Sequence, residues 1–275
     1  MASLREIKDR IGSVKSTLKI TSAMKLVASS KLRKAQKAVE NLRPYEQELN
    51  KILAELDYVR NDENEHVESR IAIITISSNS SLCGAFNGNV IKKTLEVVKA
   101  LEEQGTEVTV YSLGRRVADA MKKTGYPTAD YSQFIAHPSY ARATEIAGEI
   151  KEKFDHVLLV YNHFVTTAKQ EVVVETWISE KKDIAKDIKE EEETYIIEPG
   201  RAQVLETLIP QVTMLKFYAA VLDSAAAEQA ARTIAMQTAS DNAQELLSDL
   251  TLEYNKGRQQ KITAEILDLI GGNSE

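Results

Sequence analysis

The chain has 275 residues, 43% of them hydrophobic and 28% charged, enough for one or two domains with a sizeable core. No uninterrupted apolar run approaches the ~18 residues needed to cross a bilayer, and the single cysteine, Cys83, excludes an internal disulfide and a multi-cysteine zinc site and fits a reducing compartment. The net charge of −6 is unevenly spread: residues 1–43 carry eleven Lys or Arg against three acids, a local +8, which leaves −14 for the remainder. A basic segment on an acidic body predicts an acidic partner, whether nucleic acid, anionic membrane or an acidic protein surface, unless the charges only keep a helix face solvated.

Met1 to Asp57 reads as one very long helix. In heptads from Leu4, one column holds Leu4, Ile11, Leu18, Lys25, Leu32, Val39, Glu46 and Leu53. The other holds Ile7, Val14, Thr21, Ala28, Ala35, Leu42, Leu49 and Leu56. Thirteen of these sixteen positions are apolar, a coiled-coil seam that needs a partner helix. At 1.5 Å per residue the helix would be about 80 Å long. Ser3 is placed to cap it, three residues before Glu6. Two features depart from the seam: Lys25 stands in a core column, and Pro44 is expected to kink or break the helix. Residues 61–70 are polar and acidic and read as a linker.

From Arg70 the period changes. Ile71–Ile76 is a buried-strand run, followed by a small-residue loop from Ser77 to Gly84 and a helix from about Asn87 to Glu103. Val108–Leu113 is a second strand, ended by Gly114, with a short helix to about Lys123. A helix from Tyr140 to Phe154 leads into strands at His156–Tyr161, Glu171–Ile178 and Tyr195–Ile197, with a charged connection from Glu180 to Glu193. Strands alternating with helices predict a mostly parallel, Rossmann-like sheet with an antiparallel edge.

After Pro199-Gly200 a short helix is expected from Ala202 to Leu208, before Pro210. From there to Ile270 there is no proline and one glycine, Gly257, so a second long helix is expected. Ten of the twenty-five residues from Ala219 to Ala243 are alanine, a smooth surface for close packing, and an apolar stripe continues through Leu246, Leu250, Tyr254, Ile262, Ile266 and Leu269. The fold class is therefore α/β plus a long antiparallel two-helix coiled coil. The coil is formed by an N-terminal helix (1–60) and a C-terminal helix (208–275), with the α/β domain (70–200) inserted between them and both termini at one tip.

Catalytic motifs are missing from the string. There is no G-x-x-x-x-G-K-[ST] and no G-x-G-x-x-G after any strand. The loop Ser77–Gly84 sits where a doubly wound sheet would bind a ligand, but with so little glycine it reads as a tight structural turn. His66, His137, His156 and His163 lack metal-ligand spacing, and Cys83 has no partner nearby in sequence. The expectation is no catalytic residue, no metal and no cofactor.

Several segments together carry a family likeness. They are Ile20-Thr21 through Ala28 with Lys31-Leu32-Arg33-Lys34-Ala35; Glu228-Gln229-Ala230-Ala231-Arg232 with Ala235-Met236; and Asp241-Asn242-Ala243. The end of the chain adds Tyr254-Asn255-Lys256-Gly257-Arg258-Gln259, Ile262-Thr263-Ala264-Glu265-Ile266 and Ile270-Gly271-Gly272. Over its whole length the chain resembles the gamma subunits of F-type ATP synthases. The resemblance implies a rotor shaft inside a ring of three alpha and three beta subunits, seated with the epsilon subunit on a membrane ring of c subunits, with no nucleic acid involved. It implies that ion flow turns the shaft, and that the shaft drives the beta sites through ADP and phosphate binding, ATP formation and release. It also implies that Met24 and Lys25 face an acidic lever of beta, that Arg258 and Gln259 meet a beta catch loop, and that Arg232, Thr263 and Glu265 take part in coupling.

One segment departs from the family pattern. Where the family commonly reads Ser-Asp-(Arg or Lys)-Gly-Leu-Cys-Gly-Gly, this chain has Ser78-Asn79-Ser80-Ser81-Leu82-Cys83-Gly84-Ala85. The paired regulatory cysteines of chloroplast members are missing. A directly helical start without a transit peptide predicts a bacterial protein, peripheral on the cytoplasmic face of its membrane. Two rival readings predict other things: steeply salt-dependent nucleic-acid binding by the basic helix, or a small Rossmann-like enzyme with coiled-coil arms, which needs a phosphate loop or a polar cluster at the strand ends.

Overall fold

The computed structural model describes residues 3–56, 70–126, 128–154, 156–178 and 198–271, with side chains through 267. The N-terminal periodicity is realised as one helix, α1 (Leu4–Glu55). Ser3 caps it reciprocally: Glu6 N–H donates to Ser3 Oγ at 3.2 Å and Ser3 N–H to Glu6 Oε2 at 2.9 Å. All sixteen heptad positions are buried or half-buried, Lys25 and Glu46 included. Pro44 does not break the helix. It lies on the exposed side, as does Glu40, whose carbonyl it leaves without an N–H donor, so water can satisfy that oxygen.

The sheet follows from the apolar runs. Its strands are β1 (Arg70–Ile76), β2 (Glu107–Leu113), β3 (Thr128–Asp130), β4 (Val157–Phe164) and β5 (Gln170–Ile178), in the order β3-β2-β1-β4-β5. The β1–β2, β2–β3 and β1–β4 pairs are parallel and β4–β5 is antiparallel, the expected edge. Every residue from Ile71 to Ile76 is buried, because both faces of β1 are covered. On one face Ile73, Val110 and Val160 pack with Val90 and Val98 of α2 (Phe86–Glu103) and Val117 and Met121 of α3 (Arg115–Thr124). On the other, Ile74, Leu159 and Trp177 pack with Phe134 of α4 (Ser132–Ala136), Ile146 and Ile150 of α5 (Tyr140–Lys151), and Phe217. Sequence reasoning missed β3 and α4, which span three and five residues and are too short to show a period.

The largest correction concerns the C-terminal half. The short helix before Pro210 and the long one after it are a single helix, α6 (Arg201–Gly271), of 71 residues. Packing on both sides of the proline outweighs the lost hydrogen bond: Val204, Leu205 and Leu208 before it, and Val212 after it, close over Leu53 and Leu56 of α1. By length and apolar composition α6 would pass for a membrane-crossing helix. Its apolar content has another use here, since Phe217, Ala220, Val221, Ala226, Ala227 and Ala230 are buried among α1 and the sheet domain. The linker at 61–69, the connection 180–193 and the strand at 195–197 lie outside the described residues.

The chain divides into two compact units, Met1–Ser29 with Arg232–Glu275, and Ser30–Ala231, so the division cuts across both long helices. Within the first, α1 and α6 pair antiparallel: Ser240 Oγ bonds Thr21 Oγ1 at 2.8 Å, and Leu4 Cδ2 lies where a Cβ on Gly257 would meet it at 3.0 Å. The register is even, since seventeen residues separate Leu4 from Thr21 and seventeen separate Ser240 from Gly257. Within the second unit Leu32 packs on Ala226 and Ala230, and Leu53 and Leu56 on Leu205, again antiparallel.

Candidate partner-binding surface

All seven residues singled out in the sequence belong to the unit made of Met1–Ser29 and Arg232–Glu275. They do not form one site. Met24, Lys25 and Arg232 lie near the Thr21–Ser240 bond, whereas Arg258, Gln259, Thr263 and Glu265 follow Gly257. At about 1.5 Å per residue, the stretch from Ser240 to Gly257 separates the groups by roughly 25 Å.

In the first patch, Met24 and Lys25 are half-buried, one turn past a polar layer in the seam. Thr21 Oγ1 donates to Leu18 O at 3.1 Å while accepting from Ser240. A buried polar pair in an otherwise apolar seam opposes slippage, because any other register strands a hydroxyl. Arg232 stands on the seam side of α6 with Met236, Ser240, Ala243 and Leu250, and only 8% of it is exposed. It is therefore largely covered and not part of the exposed outer face. Sequence reasoning passed over what surrounds Lys25: Ile20, Leu26 and Val27 are 60%, 70% and 56% exposed, and Ile234 of α6 is exposed too. These side chains stand outside the heptad columns in Ile20–Val27, which was the available signal. An apolar turn on the outside of a coil gains nothing in water and suits a covered surface.

In the second patch the residues from Arg258 to Leu267 are all exposed. The cause is the register: α1 begins at Leu4, opposite Gly257, and the following turns of α6 have no α1 turn to pack on. Ile262, Ile266 and Leu267 are left as an apolar stripe facing solvent. Thr263 Oγ1 bonds back to Gln259 O at 3.0 Å, and Glu265 pairs with Lys261 at 3.7 Å. Arg5, Lys8, Arg10, Lys15 and Lys19 are exposed on α1 beside Glu6 and Asp9, and Asp241, Glu245, Asp249 and Glu253 are exposed on α6 ahead of Lys256, Arg258 and Lys261.

The loop after β1 is tied by hydrogen bonds to the helices around it. Asn87 Oδ1 accepts from Ser78 N–H at 3.0 Å, and Asn87 Nδ2 donates to Ser78 Oγ at 2.8 Å and Cys83 Sγ at 3.1 Å. Asn79 bridges Ser132 O and Arg115 N–H at 2.8 and 3.0 Å. Leu82 and Gly84 take positive φ values of 66° and 59°, and Cys83 and Phe86 pack on Ala227. It is a turn built to brace a helix. No group of three or more His, Cys, Asp or Glu that could hold a metal occurs among the described residues.

Known proteins give these two patches a setting. A sequence profile described as ATP synthase matches residues 3–274. The ATP synthase gamma chain of Bacteroides fragilis is 47% identical over 290 aligned positions, covering 99% of each chain. That of Bacteroides thetaiotaomicron is 43% identical over the whole of both. The chain belongs to the ATP synthase gamma-chain family. Among solved structures, a chain of the Euglena gracilis mitochondrial ATP synthase (OSCP/F1/c-ring, rotational state 3) matches with a TM-score of 0.72 at 23% identity, covering 98% of this chain and 93% of that one. A rotor chain of the same enzyme in rotational state 1 matches at 0.68 and 22%, covering 94% and 98%. The gamma family therefore shares the arrangement seen here, two long helices flanking a mixed sheet domain. Both patches lie within the residues that the family profile matches.

Proposed function

We propose that the chain is the central shaft of an ion-translocating F-type ATP synthase, carrying torque between a membrane c ring and a ring of three alpha and three beta subunits. The observation that carries this reading is the near full-length likeness to gamma chains together with the exposed apolar tip after Gly257. A tip offering apolar surface and few directional bonds suits a bearing that must slide. The shaft comprises α1 (Leu4–Glu55) and α6 (Arg201–Gly271), and the α/β domain between them sits with the epsilon subunit on the c ring. The chain itself makes and breaks no bond of the substrate; that chemistry belongs to beta, in agreement with the lack of catalytic motifs. It acts on the cytoplasmic face of a bacterial membrane, held there through the complex.

In this reading Met24 and Lys25 meet an acidic lever of beta, Arg258 and Gln259 a catch loop, and Thr263 and Glu265 support coupling at the tip. Arg232 likewise takes part in coupling to beta. Exposed charge pairs contribute ~0–1 kcal/mol, weak enough to be broken at every step, so torque comes mainly from the fit of a stiff coil. Lys25→Ala is therefore expected to lower ATP-driven proton pumping in reconstituted vesicles by less than about fivefold. Pumping equal to wild type would remove Lys25 from the contact, and complete uncoupling would place the torque in a single charge. The reading as a whole is tested by co-expression with the alpha and beta subunits of the same genome. A complex of three alpha, three beta and one copy of this chain is expected, with its ATPase lost when the chain is omitted. A chain that stays free would end the proposal.

A further inference from the structure

The antiparallel edge of the sheet is also the part that holds α6. Within the unit Ser30–Ala231, three polar attachments join the β4–β5 hairpin to α6 between Thr213 and Asp223. Trp177 Nε1 donates to Thr213 O at 2.7 Å. Lys216 Nζ donates to Thr176 O at 3.2 Å and pairs with Glu175 at 3.5 Å. At the other end of the hairpin, Asp223 Oδ1 accepts from Phe164 N–H at 3.3 Å, and Asp223 Oδ2 lies 2.5 Å from His163 Nδ1. Phe164 pairs with Gln170, the first residue of β5, so β5 runs antiparallel to α6 along about 15 Å of the helix. Thr213, Lys216, Ala220 and Asp223 follow one another at spacings of three and four, one stripe of α6, and Phe217 and Ala220 are buried there with Trp177 and Tyr161.

We propose that the β4–β5 hairpin is the arm through which the sheet domain turns α6, with Lys216 and Asp223 as the positioning residues that stop it slipping on the helix. Apolar contact alone would not do this, because it is non-directional and is nearly as favourable after a small slide. A hydrogen bond weakens steeply once its angle or length is lost. Each attachment has a main-chain atom at one end, Thr213 O, Thr176 O or Phe164 N–H, so slip must break the bond or move a helix or a strand. The tip is seated as well as bonded. The Phe164 side chain packs with Leu32 of α1 and with Ala226 and Ala230 of α6, and also with Cys83, Phe86 and Ala227. Asp223 fixes that wedge in place. Only 14% of its side chain is exposed, and each of its carboxylate oxygens has a partner on the hairpin tip. From this segment α6 continues as one helix to Gly271, so a turn imposed at the hairpin is carried along an unbroken hydrogen-bonded backbone.

The arm rests on the shaft reading, and the experiment separates the two. The alpha–beta ring of the assembled complex is held on a surface, and a bead is attached to the sheet domain through Lys99→Cys on α2, where Lys99 is exposed. Rotation with ATP is checked first. The complex is then arrested, and the angular variance of the bead reads the torsional give between domain and ring. If the three attachments share the load independently, Asp223→Ala is expected to raise the variance by about one half, and Asp223→Ala with Lys216→Met by about threefold. Asp223→Asn keeps an acceptor for Phe164 N–H and a donor toward His163, and is expected to stay at the parent value. A complex that rotates while the double variant keeps the parent variance overturns the arm and leaves the shaft reading standing. Asp223→Asn as loose as Asp223→Ala would also overturn it, since the hydrogen bonds would then not be the cause. A parent complex that does not rotate ends both readings. If the double variant does not assemble, Lys216→Met alone carries the test: a rise of about one half supports the arm, and an unchanged variance overturns it.

Discussion

Trp177→Ala is expected to destabilise the chain by about 3–5 kcal/mol, the cost typical of emptying a buried aromatic site. The chain's one tryptophan lies on β5 with no exposed surface, its ring centroid 5.1 Å from that of Phe217. Removing it opens a cavity between the sheet edge and α6, and also deletes the Nε1–H bond to Thr213 O. Two variants separate these contributions. Trp177→Phe keeps most of the ring contact and loses only the bond, for roughly 0.5–1.5 kcal/mol. Because the native fluorophore is gone in both, unfolding is followed by far-ultraviolet circular dichroism in urea. A loss below about 1 kcal/mol for the alanine variant would mean that the sheet does not depend on this contact to hold α6.

Gly114→Ala is the second large effect. Gly114 has φ 126° and ψ 138°, a backbone region that disfavours a side chain, and an added Cβ would stand 2.2 Å from Ser77 O and 2.6 Å from Ser77 C. Those are backbone atoms of the turn after β1, and they are held on all sides. Ser77 N–H bonds Leu113 O at 2.8 Å, Ser77 Oγ accepts from Val117 N–H at 3.1 Å, and Ser78 O accepts from Arg116 N–H at 3.2 Å. The clash therefore has no flexible atom to give way. Strain at the dihedral and overpacking together are expected to cost roughly 2–6 kcal/mol. Gly148, inside α5 with open space around its Cβ position, supplies the control: Gly148→Ala is expected to be neutral or to stabilise by up to about 1 kcal/mol. If Gly114→Ala melts with the wild type, the turn is looser than its hydrogen bonds imply.

How much of this could be read from the residues depends on the reach of each signal. A period kept over eight heptads placed every seam position of α1, and the runs Ile71–Ile76 and Val108–Leu113 placed the central strands, because burial imposes those patterns residue by residue. Pro210 misled, because a proline's local penalty was weighed without the packing around it, whereas Pro44 is carried within α1 on its exposed side. At Pro210, Val204, Leu205, Leu208 and Val212 close over α1 and the helix continues through it. That Arg232 is largely covered, with 8% of it exposed, could not be read from its place in the motif. The exposed apolar turn at Ile20, Leu26 and Val27 was visible as letters, but its meaning required knowing which face the partner helix takes. The His163–Asp223 bond joins residues sixty positions apart and had no sequence signal at all.

The most direct test of the shaft reading is rotation itself. With the alpha–beta ring held on a surface, a bead is attached to the α/β domain through Lys99→Cys. Lys99 is exposed on α2, whereas Cys83 is buried and shielded from the label. Rotation of the bead in one direction on addition of ATP, stopping when ATP is removed, is the result expected of a shaft. ATP turnover at full rate with a stationary bead would contradict it, and would leave the coil as a static part of the assembly.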